Sequence, residues 1–160
     1  YLSLGSIKSA SILGKLAMVK CSCLCTQVSF EVSIKPKNFG VCHCSDCRKW
    51  TVGVFTSVNG GDNITFDNEK YIGRYSHSDW AERGFCTNCG TNLFFRMKKS
   101  NQYFLMLGVI DDDISLHFEE QQFIDEKPSH YSFSNNTKLI TKAGRMEMLD
   151  NYLTQFDDSR

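Results

Sequence analysis

The amino-acid sequence predicts an all-β domain of short strands, and three observations carry that prediction. Apolar and polar residues alternate at period two in several stretches. Clusters of Gly, Asn, Asp and Lys separate those stretches at turn spacing. Helical spacing of apolar residues is confined to the C-terminal tail. With 160 residues, 41% of them hydrophobic and 22% charged, the chain has the size and composition of one globular domain with one core.

In chain order, the first seventeen residues, YLSLGSIKSASILGKLA, come before any strand pattern. They are Ser-rich and interrupted by Lys8 and Lys15, so they lack the charged start and continuous apolar centre of a secretion signal. Met18 stands just before the patterned region, so residues 1–17 read as an upstream extension or an expression-derived leader. The rival reading is an amphipathic helix using Ile7, Ile12, Leu13 and Leu16. In VSFEVSI, Val28, Phe30, Val32 and Ile34 alternate with Ser29, Glu31 and Ser33, the pattern of a strand with one buried face, and Pro36 ends the run. GVFTSV, ITF, KYIGRYS, TNLFFRM, QYFLMLGVI and HFEEQQFI read as further strands, separated by turn signals such as NGGDN and KKSN. The acidic run Asp111 to Asp113 reads as a turn. In RMEMLDNYLTQF, Met146, Leu149, Leu153 and Phe156 recur at helical spacing, which predicts a helix packed onto the sheet. No internal repeat or low-complexity linker divides the chain, so residues 18–160 form a single expected domain, with a tail from about 134.

Eighteen basic residues balance eighteen acidic ones without a long block of either sign. That distribution offers no electrostatic footprint for nucleic acid or an anionic membrane surface. No run of eighteen apolar residues is present, which excludes an ordinary membrane-spanning helix. The expected setting is cytoplasmic, with a small-molecule partner and neither nucleic acid nor membrane.

The eight cysteines fall at 21, 23, 25, 42, 44, 47, 86 and 89, as C-x-C-x-C, C-x-C-x-x-C and C-x-x-C. Tight clusters in a chain without a secretion signal favour metal over a disulfide framework. On an extended segment residues i and i+2 share a side, so Cys23 with Cys25 and Cys42 with Cys44 each present two sulfurs to one ion, while Leu24 and His43 point away. In CTNC a tight turn brings Cys86 and Cys89 together, and Gly90 suits the positive backbone angle of such a knuckle. Soft thiolates select zinc over magnesium or calcium. Two partitions of the sulfurs remain open. Cys44, Cys47, Cys86 and Cys89 would make a zinc ribbon, the mark of a binding module. Cys23, Cys25, Cys86 and Cys89 would instead make a closed site, leaving Cys42, Cys44 and Cys47 as a three-thiolate site with an open position, the mark of a catalytic ion.

The ordered motifs CLCTQVSFEV, CHCSDCRKW, SDWAERGFCTNCGTNLFFR and FIDEKP resemble the glutathione-dependent formaldehyde-activating enzyme family, the CENP-V/GFA domain, over roughly residues 20 to 133. The resemblance implies an Mss4-like β-tent of short antiparallel strands with zinc knuckles and two zinc ions per chain. Cys23, Cys25, Cys86 and Cys89 would hold a structural ion, and Cys42, Cys44 and Cys47 a catalytic ion with an open fourth position. The implied activity is a carbon–sulfur lyase reaction run synthetically, adding glutathione to formaldehyde to give S-(hydroxymethyl)glutathione. Arg48 and Arg83 are the candidate glutathione contacts, and Trp50, Phe55, Trp80 and Phe85 the candidate walls. The sequence departs from the family's usual pattern at Thr26, usually glycine, at Thr51 and Val52, usually Ser-Gly, and at Ser129, His130 and Tyr131, where an aromatic such as Trp is frequent. A noncatalytic zinc-stabilised interaction module on the same fold is the competing expectation.

Overall fold

The computed structural model describes residues 18–34 and 38–157. The extension or helix expected over residues 1–17, the Pro36 stop and the side chain of Phe156 therefore lie outside the described residues. Two sheets make up most of the fold. The smaller is antiparallel and contains β1 (Met18–Ser22), β2 (Ser29–Ser33) and β5 (Thr65–Phe66), in the order β1-β2-β5.

The larger sheet has eight strands. They are β3 (Asn38–Cys42), β4 (Phe55–Gly61), β6 (Ile72–Tyr75), β7 (Ala81–Cys86), β8 (Asn92–Met97), β9 (Gln102–Met106), β10 (His117–Gln122) and β11 (Lys138–Ile140). Their order is β11-β10-β3-β4-β9-β8-β7-β6, antiparallel except where β10 pairs with β3 and β11. Helix α1 (Ser45–Thr51) follows β3 directly, and α2 (Lys142–Asp157) closes the described chain. Among the described residues, no helix is long and apolar enough to cross a membrane.

The alternation in the second strand does what its period requires: Val28, Phe30, Val32 and Ile34 are buried, while Glu31 is exposed. Phe30 meets Phe66 edge-on at 4.9 Å, and Phe66 reaches Phe94 at 5.5 Å, so the small sheet packs on the large one through aromatic contacts. Gly84 on β7 faces the ring of Phe94, which occupies the space a Cβ would need. Strand β7 shows no alternation because both of its faces are covered. Its Glu82, only 8% exposed, is held by Arg74 and Arg96, each at 2.8 Å.

Helix α2 differs from its expectation. Among its described side chains none is buried, and Met146 and Met148 are exposed, so this part of the helix does not pack into the core. Its first turn is tied to the 124–126 turn instead: the Lys142 N–H donates to Asp125 Oδ1 at 2.8 Å and Lys142 Nζ pairs with Glu126 Oε1 at 2.9 Å.

Candidate functional site

All eight cysteines are free thiols, and seven of them form two groups in which the sulfurs lie within 4.8 Å of one another. The first group is Cys23, Cys25, Cys86 and Cys89. Cys23 and Cys25 lie in the turn after β1, Cys86 ends β7, and Cys89 lies in the turn before β8, so the group joins the two sheets. The Cys23–Cys25 sulfurs are 3.6 Å apart and the Cys25–Cys86 sulfurs 3.8 Å. Each knuckle closes through the backbone: the N–H of Thr26 donates to the Cys23 carbonyl and that of Gly90 to the Cys86 carbonyl. Both turns need a positive φ, +60° at Thr26 and +77° at Gly90.

The second group, Cys42, Cys44 and Cys47, lies within one short segment. Strand β3 ends at Cys42, and Cys44 is extended as the N-cap of α1, its sulfur accepting from the Cys47 N–H at 3.4 Å. The pair read as i, i+2 on a strand thus spans a strand end and a helix cap, and Cys47 is reached by a helical turn. His43 points away from the sulfurs. It is fully buried, with Nδ1 2.8 Å from the Tyr131 hydroxyl and Nε2 3.1 Å from Gln121 Oε1. Those bonds tie the segment to β10 and to the stretch after it. Among the described residues, no fourth His, Cys, Asp or Glu joins the three sulfurs.

Both groups have the electrostatics of cation sites. Hydrogen bonds from the Cys42 and Cys47 thiols, helped by the backbone N–H groups of Cys47 and Asp46, hold Cys44 far below the usual thiol range. Giving that hydrogen bond to Cys44 pushes Cys42 up to about 12, and Cys47 is raised by the same sharing with Cys42 and Cys44. One thiolate is thus easy to form and the next two oppose each other, a conflict that a soft dication resolves. In the four-sulfur group, burial pushes Cys86 up to about 11 and the Thr91 hydroxyl draws Cys89 down to about 5. Clustered sulfur donors at this spacing fit zinc.

Of the two groups, only the three-cysteine one opens on a cavity walled by both the large sheet and α2. That cavity encloses about 460 Å³, with Cys42, Cys44 and Cys47 in its lining, a volume within the usual range for small-molecule sites. Phe55, Trp80, Phe95 and Phe104 supply aromatic walls. Phe55 and Trp80 were expected there; Trp50 and Phe85 instead pair edge-on at 5.9 Å outside the lining. Arg83 lines the cavity, with its guanidinium 6.0 Å from the Trp50 ring centre and 5.5 Å from that of Phe95. It is only 7% exposed, yet no carboxylate pairs with it among the described residues, and its Nε has no hydrogen-bond acceptor.

Arg48, the other candidate substrate contact, faces elsewhere. Its Nε donates to the His43 carbonyl at 2.8 Å, and its side chain lines a separate cleft with Lys49 and Tyr131. A helix turns its residues by about 100° each, so Arg48 cannot share the direction of Cys47 on α1. Cys21 belongs to neither group; buried on β1, its thiol is pushed up to about 12 by desolvation, then by Asp111 and Asp112. The sequence reading missed the pair His77 Nε2–Asp46 Oδ2, 3.3 Å apart on the cavity wall, because the two residues lie on separate elements. It also missed the wall built by α2.

The sequence profile of the glutathione-dependent formaldehyde-activating enzyme (GFA) family matches residues 18–126. A Schizosaccharomyces pombe protein described as an uncharacterized lyase is 32% identical over 121 residues, covering 75% of this chain and 88% of that protein. A crystal structure of a Rhodobacter sphaeroides protein superposes with a TM-score of 0.51 at 18% identity, covering 60% of this chain and 90% of that one, and supports the fold. The chain belongs to the GFA family.

Proposed function

We propose that the protein is a zinc-dependent carbon–sulfur lyase of the GFA family that works in the synthetic direction, adding glutathione to formaldehyde. The supporting observation is the contrast in access: three clustered sulfurs lie on the wall of a cavity of about 460 Å³, and the four-sulfur group lies outside it. In this reading Cys42, Cys44 and Cys47 hold the catalytic ion, and Cys23, Cys25, Cys86 and Cys89 hold the structural one. When bound by the three cysteines, zinc supplies an open position that favours the thiolate form of an incoming sulfur.

The chain's own groups do the rest. The backbone N–H groups of Cys47 and Asp46 point at Cys44 and favour its negative charge. Phe55, Trp80, Phe95 and Phe104 limit water around the reacting atoms, which strengthens every charge interaction inside. Arg83 offers an unpaired guanidinium to a glutathione carboxylate. In the addition the sulfur lone pair forms the new C–S bond. The carbonyl π pair moves to oxygen, which gains one proton while the thiol loses one. His77 lines the cavity with its Nε2 held 3.3 Å from Asp46 Oδ2, which leaves its Nδ1 to exchange that proton.

The test is carbon NMR of labelled formaldehyde with glutathione, following S-(hydroxymethyl)glutathione at enzyme levels well below substrate. The parent protein accelerates adduct formation above the uncatalysed rate, and Cys44→Ser does not. A parent that leaves the uncatalysed rate unchanged while holding two zinc ions per chain favours the noncatalytic interaction module.

A further inference from the structure

The cavity has a wall that the family match does not include. The match ends at residue 126, whereas Lys142, Arg145, Met146 and Leu149 line the cavity from α2. These positions are i, i+3, i+4 and i+7, a single face of the helix. Helix α2 buries none of its described side chains, and a helix of 16 residues draws little stability from its own turns in water. Lys142 ties its first turn to Asp125 and Glu126.

Among the described residues, two cations on the cavity wall have no acidic partner. His77 is matched with Asp46 at 3.3 Å and Lys142 with Glu126 at 2.9 Å. Arg83, nine-tenths buried, has no acidic partner among the described residues, and neither does the half-buried Arg145. The ring faces of Trp50 and Phe95 offset part of the Arg83 charge, but they leave its in-plane N–H donors unanswered. A guanidinium fork matches a carboxylate with two parallel hydrogen bonds. One fork stands on β7 in the sheet and the other on α2, so a ligand answering both brings two carboxylates on separate arms. Met146 and Leu149, beside Arg145 on the same face, provide apolar contact for an aliphatic part between them.

We infer that α2 is the substrate-specificity element of this site, and that Arg145 together with Arg83 selects a thiol bearing two separate carboxylates over small uncharged thiols. The inference rests on the proposed thiol reaction for its sulfur, and on the unpaired cations alone for its carboxylates.

Calorimetric titration of the full-length, zinc-loaded protein separates these two parts, with glutathione, S-methylglutathione and 2-mercaptoethanol as probes. S-Methylglutathione keeps both carboxylates and lacks the free thiol. Arg145→Gln, at a half-buried helix position, is expected to remain folded by circular dichroism. It is expected to weaken both peptides about tenfold or more and leave 2-mercaptoethanol unchanged. Arg145→Lys, which keeps the charge and loses the fork, is expected to fall between. Unchanged S-methylglutathione affinity in Arg145→Gln overturns the inference and leaves the thiol reading standing. Glutathione binding no tighter than S-methylglutathione, with the Arg145 effect intact, strikes down the thiol reading and upholds the two-cation receptor. A parent that binds 2-mercaptoethanol as tightly as glutathione also overturns selection by carboxylates.

Discussion

The two cysteine groups use one residue type and almost the same spacing, yet they differ in what they join. Cys23 and Cys25 follow a strand of the small sheet, and Cys86 and Cys89 begin and sit within the β7–β8 turn of the large one, with Cys25 and Cys86 61 positions apart in sequence. Cys42, Cys44 and Cys47 are neighbours in the chain and would be close in any fold that kept β3 and α1. The first group closes a long loop and is kept out of the cavity; the second closes nothing and faces it. The difference in placement is the basis for expecting the sulfurs gathered from distant segments to staple the fold and those gathered locally to serve a ligand.

The largest effect is expected from Cys86→Ser. A cross-link across about 60 residues removes about 4 kcal/mol of chain entropy from the unfolded state. A domain of this size has a total stability of roughly 5–15 kcal/mol. The variant is expected to lose most of its cooperative thermal transition by circular dichroism and to hold no metal at the four-sulfur group. A sharp transition near that of the parent would mean that the four sulfurs are not the staple.

Cys44→Ser is expected to be milder in stability and severe in binding. Serine is itself a favoured N-cap, so α1 keeps its first turn and the melting temperature falls by only a few degrees. One of two bound zinc equivalents and the binding of glutathione should disappear together. If both metals remain in the variant, the assignment of Cys44 to the second ion is wrong.

The smallest effects come from the two knuckle turns of the stapling group, which should respond in opposite directions. Thr26 is a β-branched residue at φ +60°, and Gly90 holds the equivalent turn at φ +77° with open space around its Cβ position. Thr26→Gly should relieve strain and raise stability by up to about 1 kcal/mol, while Gly90→Ala should lower it by about 1 kcal/mol. Thermal melts that shift the same way for both would show that something other than backbone strain sets the turns.

Legibility from sequence followed the physics of each element. The second strand was readable because one face is buried and the other wet, so its residues alternate. Strand β7 was not, since AERGFC is covered on both faces and its Glu82 is buried against Arg74 and Arg96, charges that read as surface residues in a sequence. Helix α1 was missed because a seven-residue helix shows too little periodicity, and its cap is a cysteine rather than the usual Ser, Thr, Asp or Asn. The cysteine spacings left two partitions of the sulfurs open, and only the family resemblance pointed to the grouping in which the sulfurs lie together; neither gave the direction of Arg48, which depends on that missed helix. The tail helix was readable by its apolar repeat. Its cavity face was not, because Lys142 and Arg145 look like solvent-facing charges until the wall opposite them is known.

The most direct test of the comparison is cobalt substitution of both groups, followed by visible absorption during a glutathione titration. Cobalt reports thiolate coordination at each site through its charge-transfer and ligand-field bands. A closed site and an open one predict that half of the cobalt signal changes on adding glutathione, that the change saturates, and that it is lost in Cys44→Ser. A spectrum indifferent to glutathione, with two cobalt ions bound, would contradict the open three-cysteine site and with it the reading of this chain as an enzyme.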